Sequence, residues 1–226
     1  NLNLFNLFFI SFFMSKLLNS YNPGVLEAIT GPMKCGKTNA FIFRIEKLDY
    51  RLNIPYQAFR PDVLVREFED PYMISVREGK DGTPGRSIPA IPIGINSPED
   101  IINHELLSKT KVVGIDEAQF FNESLVGVVR DLLMRDINII VSGLDTDFRR
   151  NPFGVMANLI CMADDVSKHY ACCEQVGCGD DARWTQRLID GNPAPYDDDL
   201  VIIGDKKAEG KRSYQARCTK HYEMIR

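Results

Sequence analysis

Val25-Leu26-Glu27-Ala28-Ile29-Thr30-Gly31-Pro32-Met33-Lys34-Cys35-Gly36-Lys37-Thr38 is the stretch that decides the fold. A short β-rich run, Val25 to Ile29, leads into a glycine loop ending in Lys-Thr. That is the pattern of a phosphate-binding loop between a strand and a helix. In the loop Gly31-Pro32-Met33-Lys34-Cys35-Gly36, the two glycines let the backbone curl so that successive N–H groups face an anion. The helix that follows adds its positive N-terminal end. Lys37 reaches the β- and γ-phosphates of a nucleotide, and the Thr38 hydroxyl ligates Mg²⁺.

Outward from the loop, Phe41, Ile45 and Leu48 recur at helical spacing, so an amphipathic helix is expected from about Lys37 to Arg51, ended by Asn53 and Pro55. Tyr56 to Phe59 reads as a second strand. Residues 61–97 are rich in Pro, Gly and charge and read as a loop with one weak strand near Ile88–Ile93. Ser97-Pro98-Glu99-Asp100 opens a helix with Ser97 at the N-cap and Pro98 at its first position. Lys111 to Ile115 is a buried strand ending in Asp116-Glu117. A helix from about Glu123 to Arg135 and a strand from Asn138 to Ser142 follow. Strands alternating with helices predict an α/β fold, a P-loop NTPase-type parallel sheet flanked by helices on both faces. From Lys168 onward Gly, Asp and Cys replace that rhythm, so the expected organisation is a tail (1–20), an α/β domain (21–167) and a small C-terminal unit (168–226).

Asp116 stands where a Walker B aspartate holds Mg²⁺, directly or through water. Glu117, beside it, is placed to take the proton from an attacking hydroxyl, whether water in an ATPase or a substrate in a kinase. The motif alone does not choose between those two.

Four of the six cysteines, Cys172, Cys173, Cys178 and Cys218, fall in the last quarter with His221 nearby. Cys173-x4-Cys178 and Cys218-x2-His221 supply two pairs of ligands suited to tetrahedral Zn²⁺, with Cys172 an alternative to Cys173. Four protein ligands leave no vacant position for a water, so the zinc is read as structural. The formal net charge is -4, and acidic runs at Asp180-Asp181 and Asp197-Asp198-Asp199 would repel phosphates, so no nucleic-acid polymer is expected as a partner. The apolar, uncharged residues 1–13 lack the basic start and cleavage site of a signal peptide and are too short to span a bilayer. They read as upstream sequence or a tail, and the rest reads as cytoplasmic without a membrane partner.

Laid in order, these segments resemble the small, tetrameric, zinc-containing thymidine kinases of bacteria, viruses and animal cytosol. The resemblance runs from about Gly24 to Tyr222. It rests on GPMKCGKT (31–38), GIDEAQFF (114–121), SGLDTDFRRNPFG (142–154), AxxTxRL from Ala182 to Leu188, and the terminal CxxH. It implies transfer of the γ-phosphoryl of ATP to the 5′-hydroxyl of thymidine, with deoxyuridine a further acceptor and Glu117 the general base. Lys37, Thr38 and Asp116 would hold Mg-ATP, and Gln119 belongs to the same nucleotide-side motif. The nucleoside pocket would comprise Met33, Phe120, Leu144, Phe148, Phe153, Thr185 and Tyr214, apolar and aromatic walls that suit a flat methylated base. A lasso-like loop, here about 188–214 with Leu200 to Gly204 as the strand reading the base, would close it, anchored by zinc. A homotetramer is also implied.

Three departures stand out. Counting from Arg60, the family's Asp position is Leu64 and its Arg position is Arg66, which carries over as a transition-state stabiliser. Asp62 would substitute from a shifted loop, or Mg²⁺ would rely on Asp116. The first zinc pair is wider than usual. The segment Asp205–Ser213 is longer and more basic, and reads as a solvated insertion. The alternatives are a P-loop ATPase or switch with a zinc interaction module, and a degenerate kinase that binds nucleotide without turnover.

Overall fold

A computed structural model describes residues 24–63, 70–76, 85–200 and 211–224. Leu64 and Arg66, the N-terminal tail, most of the Leu200–Gly204 strand and the lysines Lys206 and Lys207 lie outside those residues.

Strand β1 (Leu26–Thr30) is fully buried and leads through the glycine loop into helix α1 (Lys37–Leu52). Asn53 takes a left-handed conformation at φ 49 and stops the helix, its N–H returning to Asp49 and Leu48 carbonyls, a C-cap of the kind Asn tolerates. Strands β2 (Tyr56–Pro61), β3 (Met73–Ser75), β4 (Ser87–Pro89), β5 (Ile91–Ile93), β6 (Val112–Ile115), β7 (Asn138–Gly143) and β8 (Asp165–Lys168) follow in chain order. Between them lie α2 (Asp100–Asn103), α3 (Leu125–Met134) and α4 (Met156–Met162). Six strands form one sheet in the order β5-β2-β6-β7-β1-β8, and every pairing in it is parallel.

Two sequence expectations change. The single weak strand near Ile88–Ile93 is two strands, β4 antiparallel to β3 and β5 parallel to β2. Pro89 and Pro92 lack the N–H a continuous ladder needs, and Ala90 between them donates instead to the Tyr72 carbonyl. The helix expected from Ser97 begins as successive turns, with Asp100 N–H bonded to Ser97 O and Ile101 N–H to Pro98 O. Only α2, one turn long, becomes α-helical.

Alternation along the strands divides the core in two. Leu26 and Ala28 of β1, Val113 and Ile115 of β6, and Ile139 and Val141 of β7 face α3 and α4. Ile29, Val112 and Ile140 face α1, which presents Phe41, Ile42, Ile45 and Leu48. Each of those helix side chains is essentially solvent-free, and such burial stabilises by about 1.5–3 kcal/mol apiece. Gly114 in β6 makes the close approach possible, since a Cβ there would stand 2.6 Å from Ile45 Cδ1 and 2.8 Å from Phe41.

Beyond β8 the chain builds short antiparallel pairs. β9 (Ala171–Cys172) pairs with β10 (Asp181–Ala182), and β11 (Trp184–Ile189) pairs with β12 (Asn192–Pro193) and β13 (Arg212–Arg217). Among the described residues no helix is long and apolar enough to cross a membrane.

Candidate active site

The phosphate loop is set by its first glycine and by what surrounds it. Gly31 has φ +139, and a Cβ there would lie 2.3 Å from the His169 carbonyl oxygen; only glycine fits. Thr30 Oγ1 donates to the Gly143 carbonyl at 3.1 Å, fastening the end of β1 to β7. Lys37 is buried and donates through Nζ to the Pro32 carbonyl at 2.8 Å, its ammonium folded back into the loop. Thr38 and Asn39 stand in the first turn of α1.

Three successive loop residues reach across to the C-terminal unit. The Met33 N–H donates to Thr185 Oγ1 at 3.0 Å. Lys34 Nζ pairs with both Glu174 carboxylate oxygens at 2.8 and 2.9 Å. Cys35 packs against the cluster of Ala171, Cys173, Ala182, Ala216 and Cys218. The nucleotide-side expectation for Lys34 and Cys35 is therefore narrowed to their backbone N–H groups, because their side chains are occupied elsewhere.

Asp116 follows β6 and is buried, its N–H bonded to the Phe59 carbonyl at 3.0 Å. Burial, with the adjacent charge of Glu117, pushes its carboxyl up to about 7. Such a carboxylate gains most from a nearby cation. Glu117 sits at φ 51, in the left-handed region, a strained conformation of the sort found where a side chain must be aimed. Its carboxylate accepts from Gln119 Nε2 at 2.6 Å, while Gln119 Oε1 accepts from the Leu144 N–H at 3.0 Å. Gln119, expected on the nucleotide side, is itself buried and spends both ends of its amide on Glu117 and Leu144. It is placed to hold Glu117.

A cavity of about 440 Å³ opens between the loop and the C-terminal unit. Its wall carries Met33, Phe120, Leu144, Phe148, Phe153, Thr185 and Tyr214, all seven positions expected for a nucleoside pocket, together with Glu117, Lys34, Gly36, Lys37 and Thr38. Phe120 and Phe153 meet edge to face at 5.8 Å, a preferred aromatic geometry. Sequence reasoning missed Ser75, Val76, Thr146, Asp147 and Arg187 on the same wall. Thr146 and Asp147 lie inside the quoted 142–154 segment and Arg187 inside the quoted Ala182–Leu188 segment, and they could have been found from them; Ser75 and Val76 carry no local signal. Asp62 is exposed, near Gly94, and is not on this wall. Arg66 lies outside the described residues.

Cys173, Cys178, Cys218 and His221 place one ligand atom each within 4.8 Å of one another. Cys218 Sγ lies 3.3 Å and Cys173 Sγ 3.8 Å from His221 Nδ1, and Cys178 Sγ is 4.0 Å from Cys218 Sγ. Tetrahedral zinc with bonds of about 2.3 Å to sulfur separates its thiolates by about 3.8 Å, so the donor set and its edges fit Zn²⁺. Cys172 is exposed and Cys173 buried, and it is Cys173 that the fold brings into this cluster. Burial opposes ionisation of Cys173, but N–H groups of Cys218 and Gln175 and the His221 ring outweigh it and draw the thiol down to about 6. That favours the thiolate form metals bind.

The family model described as thymidine kinase matches residues 24–222 of this chain. Thymidine kinase of Coprothermobacter proteolyticus is 40% identical over 201 residues, covering 89% of this chain and 91% of that one. Thymidine kinase of Mycoplasmoides gallisepticum is 37% identical over 201 residues, covering 89% and 82%. That of Ureaplasma parvum is 36% identical over 205 residues, covering 89% and 83%.

Proposed function

From the premise that this chain belongs to the thymidine kinase family, and so phosphorylates thymidine using ATP, we propose how its residues divide that work. The single observation carrying the reading is that Glu117 shares one cavity with the phosphate loop on one side and the aromatic wall on the other. The thymine ring lies among Phe120, Phe148, Phe153 and Leu144, with Met33, Thr185 and Tyr214 completing the pocket, and the sugar's 5′-hydroxyl faces Glu117. The loop N–H groups and Lys37 hold the triphosphate, Lys37 exchanging its Pro32 contact for phosphate oxygens.

Glu117 accepts the 5′-hydroxyl proton as O5′ bonds to the γ-phosphorus, and the bond from that phosphorus to the bridging oxygen of ADP breaks. Gln119 fixes the carboxylate so that it meets the hydroxyl in one orientation. Thr38 and Asp116, hard oxygen donors beside the loop, would hold Mg²⁺. The ion, when bound, neutralises charge on the phosphate oxygens. Arg66 remains the proposed stabiliser of the transferring phosphoryl group. The zinc set is structural, having four protein ligands and no open position. Six cysteines, none in a disulfide, support a reducing, cytoplasmic setting, and a homotetramer is the assembly the family resemblance supports.

ATP consumption with and without each deoxynucleoside tests the whole. Strong stimulation by thymidine is expected, and nucleoside-independent hydrolysis would refute the reading. Glu117→Gln is expected to lower kcat by about 10²–10⁴-fold while ATP affinity stays within about twofold; near-normal turnover would remove Glu117 from its role.

A further inference from the structure

Three arginines from three separate segments converge on Asp198. Arg187, on β11, donates through Nη1 to Asp198 Oδ2 at 2.8 Å. Arg212, opening β13, donates through Nη2 to Oδ1 at 2.7 Å and through Nε to Oδ2 at 3.4 Å. Arg149, in the loop after β7, donates through Nη2 to the Asp198 carbonyl at 2.6 Å. Arg187 goes on to donate to the Asp199 carbonyl, and to the Leu200 carbonyl at 2.7 Å. The side chains of Arg187 and Asp198 are only 3% and 8% exposed.

This cluster adjoins the cavity at several points. The Arg187 guanidinium lies over Phe148 at 3.9 Å and near Tyr214 at 5.4 Å. Arg149 lies over Phe148 as well, at 5.1 Å, and over Tyr196 at 5.3 Å. Arg187, Phe148, Tyr214 and Leu200 all line the cavity. β11 and β13 are paired along their whole length, Ile189 opposite Arg212. Asp198 comes from the excursion between them, 11 residues after Arg187 and 14 before Arg212. One carboxylate thus ties the excursion to both strands it springs from and, through Arg149, to the loop carrying Phe148.

We propose that Asp198 is a positioning residue for the nucleoside: its arginine cluster fixes Leu200, Phe148 and Tyr214 as a single wall of the thymidine pocket. The proposal rests on the cavity being the thymidine site. A planar guanidinium can donate to a carboxylate and two backbone carbonyls at once, whereas an ammonium cannot reproduce that fork. Removing the carboxylate leaves Arg187 and Arg212 facing each other around a mostly buried gap, a costly arrangement that the chain relieves by letting the excursion move away. The phosphate loop makes none of these contacts, so binding of ATP should be spared.

Calorimetry of thymidine binding and steady-state kinetics would test this on the full chain. Wild-type protein that bound no thymidine would overturn the assignment of the cavity itself, before any variant is considered. Given wild-type binding, Asp198→Asn and Arg187→Lys are each expected to raise Kd and KM for thymidine by about 10- to 100-fold. KM for ATP should stay within about twofold and kcat within about threefold. Asp198→Glu should recover part of the loss, and Asp197→Asn, an exposed neighbour, should behave as wild type. Thymidine affinity within twofold of wild type in Asp198→Asn would overturn the proposal. So would a parallel loss for ATP and thymidine in protein that keeps its zinc, since that is the signature of a merely structural cluster.

Discussion

The parallel sheet and the C-terminal unit solve the same problem with different materials. In the sheet, Leu26, Ile115 and Ile139 pack on one face and Phe41, Ile45 and Ile140 on the other, with helices closing both sides. In the C-terminal unit the apolar centre is Ala171, Cys173, Ala182, Ala216 and Cys218, and three of its strands have two residues each. Residues this small cannot offset the conformational entropy of some forty ordered positions. The unit draws instead on a Cys/His cluster suited to a metal ion, on Asp198 among its arginines, and on Tyr222, whose hydroxyl donates to the Phe148 carbonyl. The cavity lies where the two meet, so one wall is held by burial and the other by specific polar bonds.

The strongest way to break this contrast is to remove the metal. Zinc contributes about 10–16 kcal/mol to folding in small zinc domains. Cys218→Ala should therefore lose its zinc and bind thymidine more than about tenfold more weakly. Its helical circular dichroism should persist, because the helices belong to the sheet. A full equivalent of zinc retained on the variant would show that the ligands are elsewhere. The reverse experiment is Phe41→Ala, which opens a cavity over Gly114 and should cost about 3–5 kcal/mol in urea unfolding. Zinc content per folded molecule should not change, and an unshifted urea midpoint would refute the account of α1 packing.

A smaller effect sharpens the comparison by pH. Asp116 has its carboxyl raised to about 7 in the fold, above its ordinary value near 3.9. The folded state then holds the proton more tightly than the unfolded state, so this group's contribution is fully favourable below about pH 4 and is lost as pH rises toward 7. Without ATP and Mg²⁺, Asp116→Asn should match wild-type stability near pH 4 and exceed it by roughly 1–3 kcal/mol above pH 7. A gap that did not vary with pH would mean the carboxyl is ionised throughout.

Legibility from sequence followed the same division. The glycine loop, the Asp116-Glu117 strand end and α1 were readable because each signal is local: a spacing of glycines, an apolar run, a helical period. The strand order was not, since the neighbours β1 and β7 are more than a hundred residues apart. Cys172 and Cys173 could not be separated by spacing, yet successive residues leaving β9 point to opposite sides, and only Cys173 turns inward. Asp198 was hidden most thoroughly. In an acidic run it reads as solvated charge, and the arginines that claim it come from three places along the chain. The same acidic run, taken as a surface that repels nucleic acid, has its central member largely withdrawn from solvent. Gln119 was recognised as part of a motif, but its task depends on the Leu144 N–H, 25 residues on.

One bond between the halves has a thermodynamic consequence. The Met33 N–H that donates to Thr185 Oγ1 belongs to the loop assigned to ATP, while its acceptor belongs to the wall assigned to thymidine. Any shift of the loop on taking up phosphate is felt by that hydroxyl, and any shift of the wall is felt by the loop. Linkage makes such an effect symmetric: the factor by which ATP alters thymidine affinity equals the factor by which thymidine alters that of ATP. Thr185→Val, which removes the acceptor, is the substitution expected to bring that shared factor closer to one, measured as thymidine affinity with and without ATP.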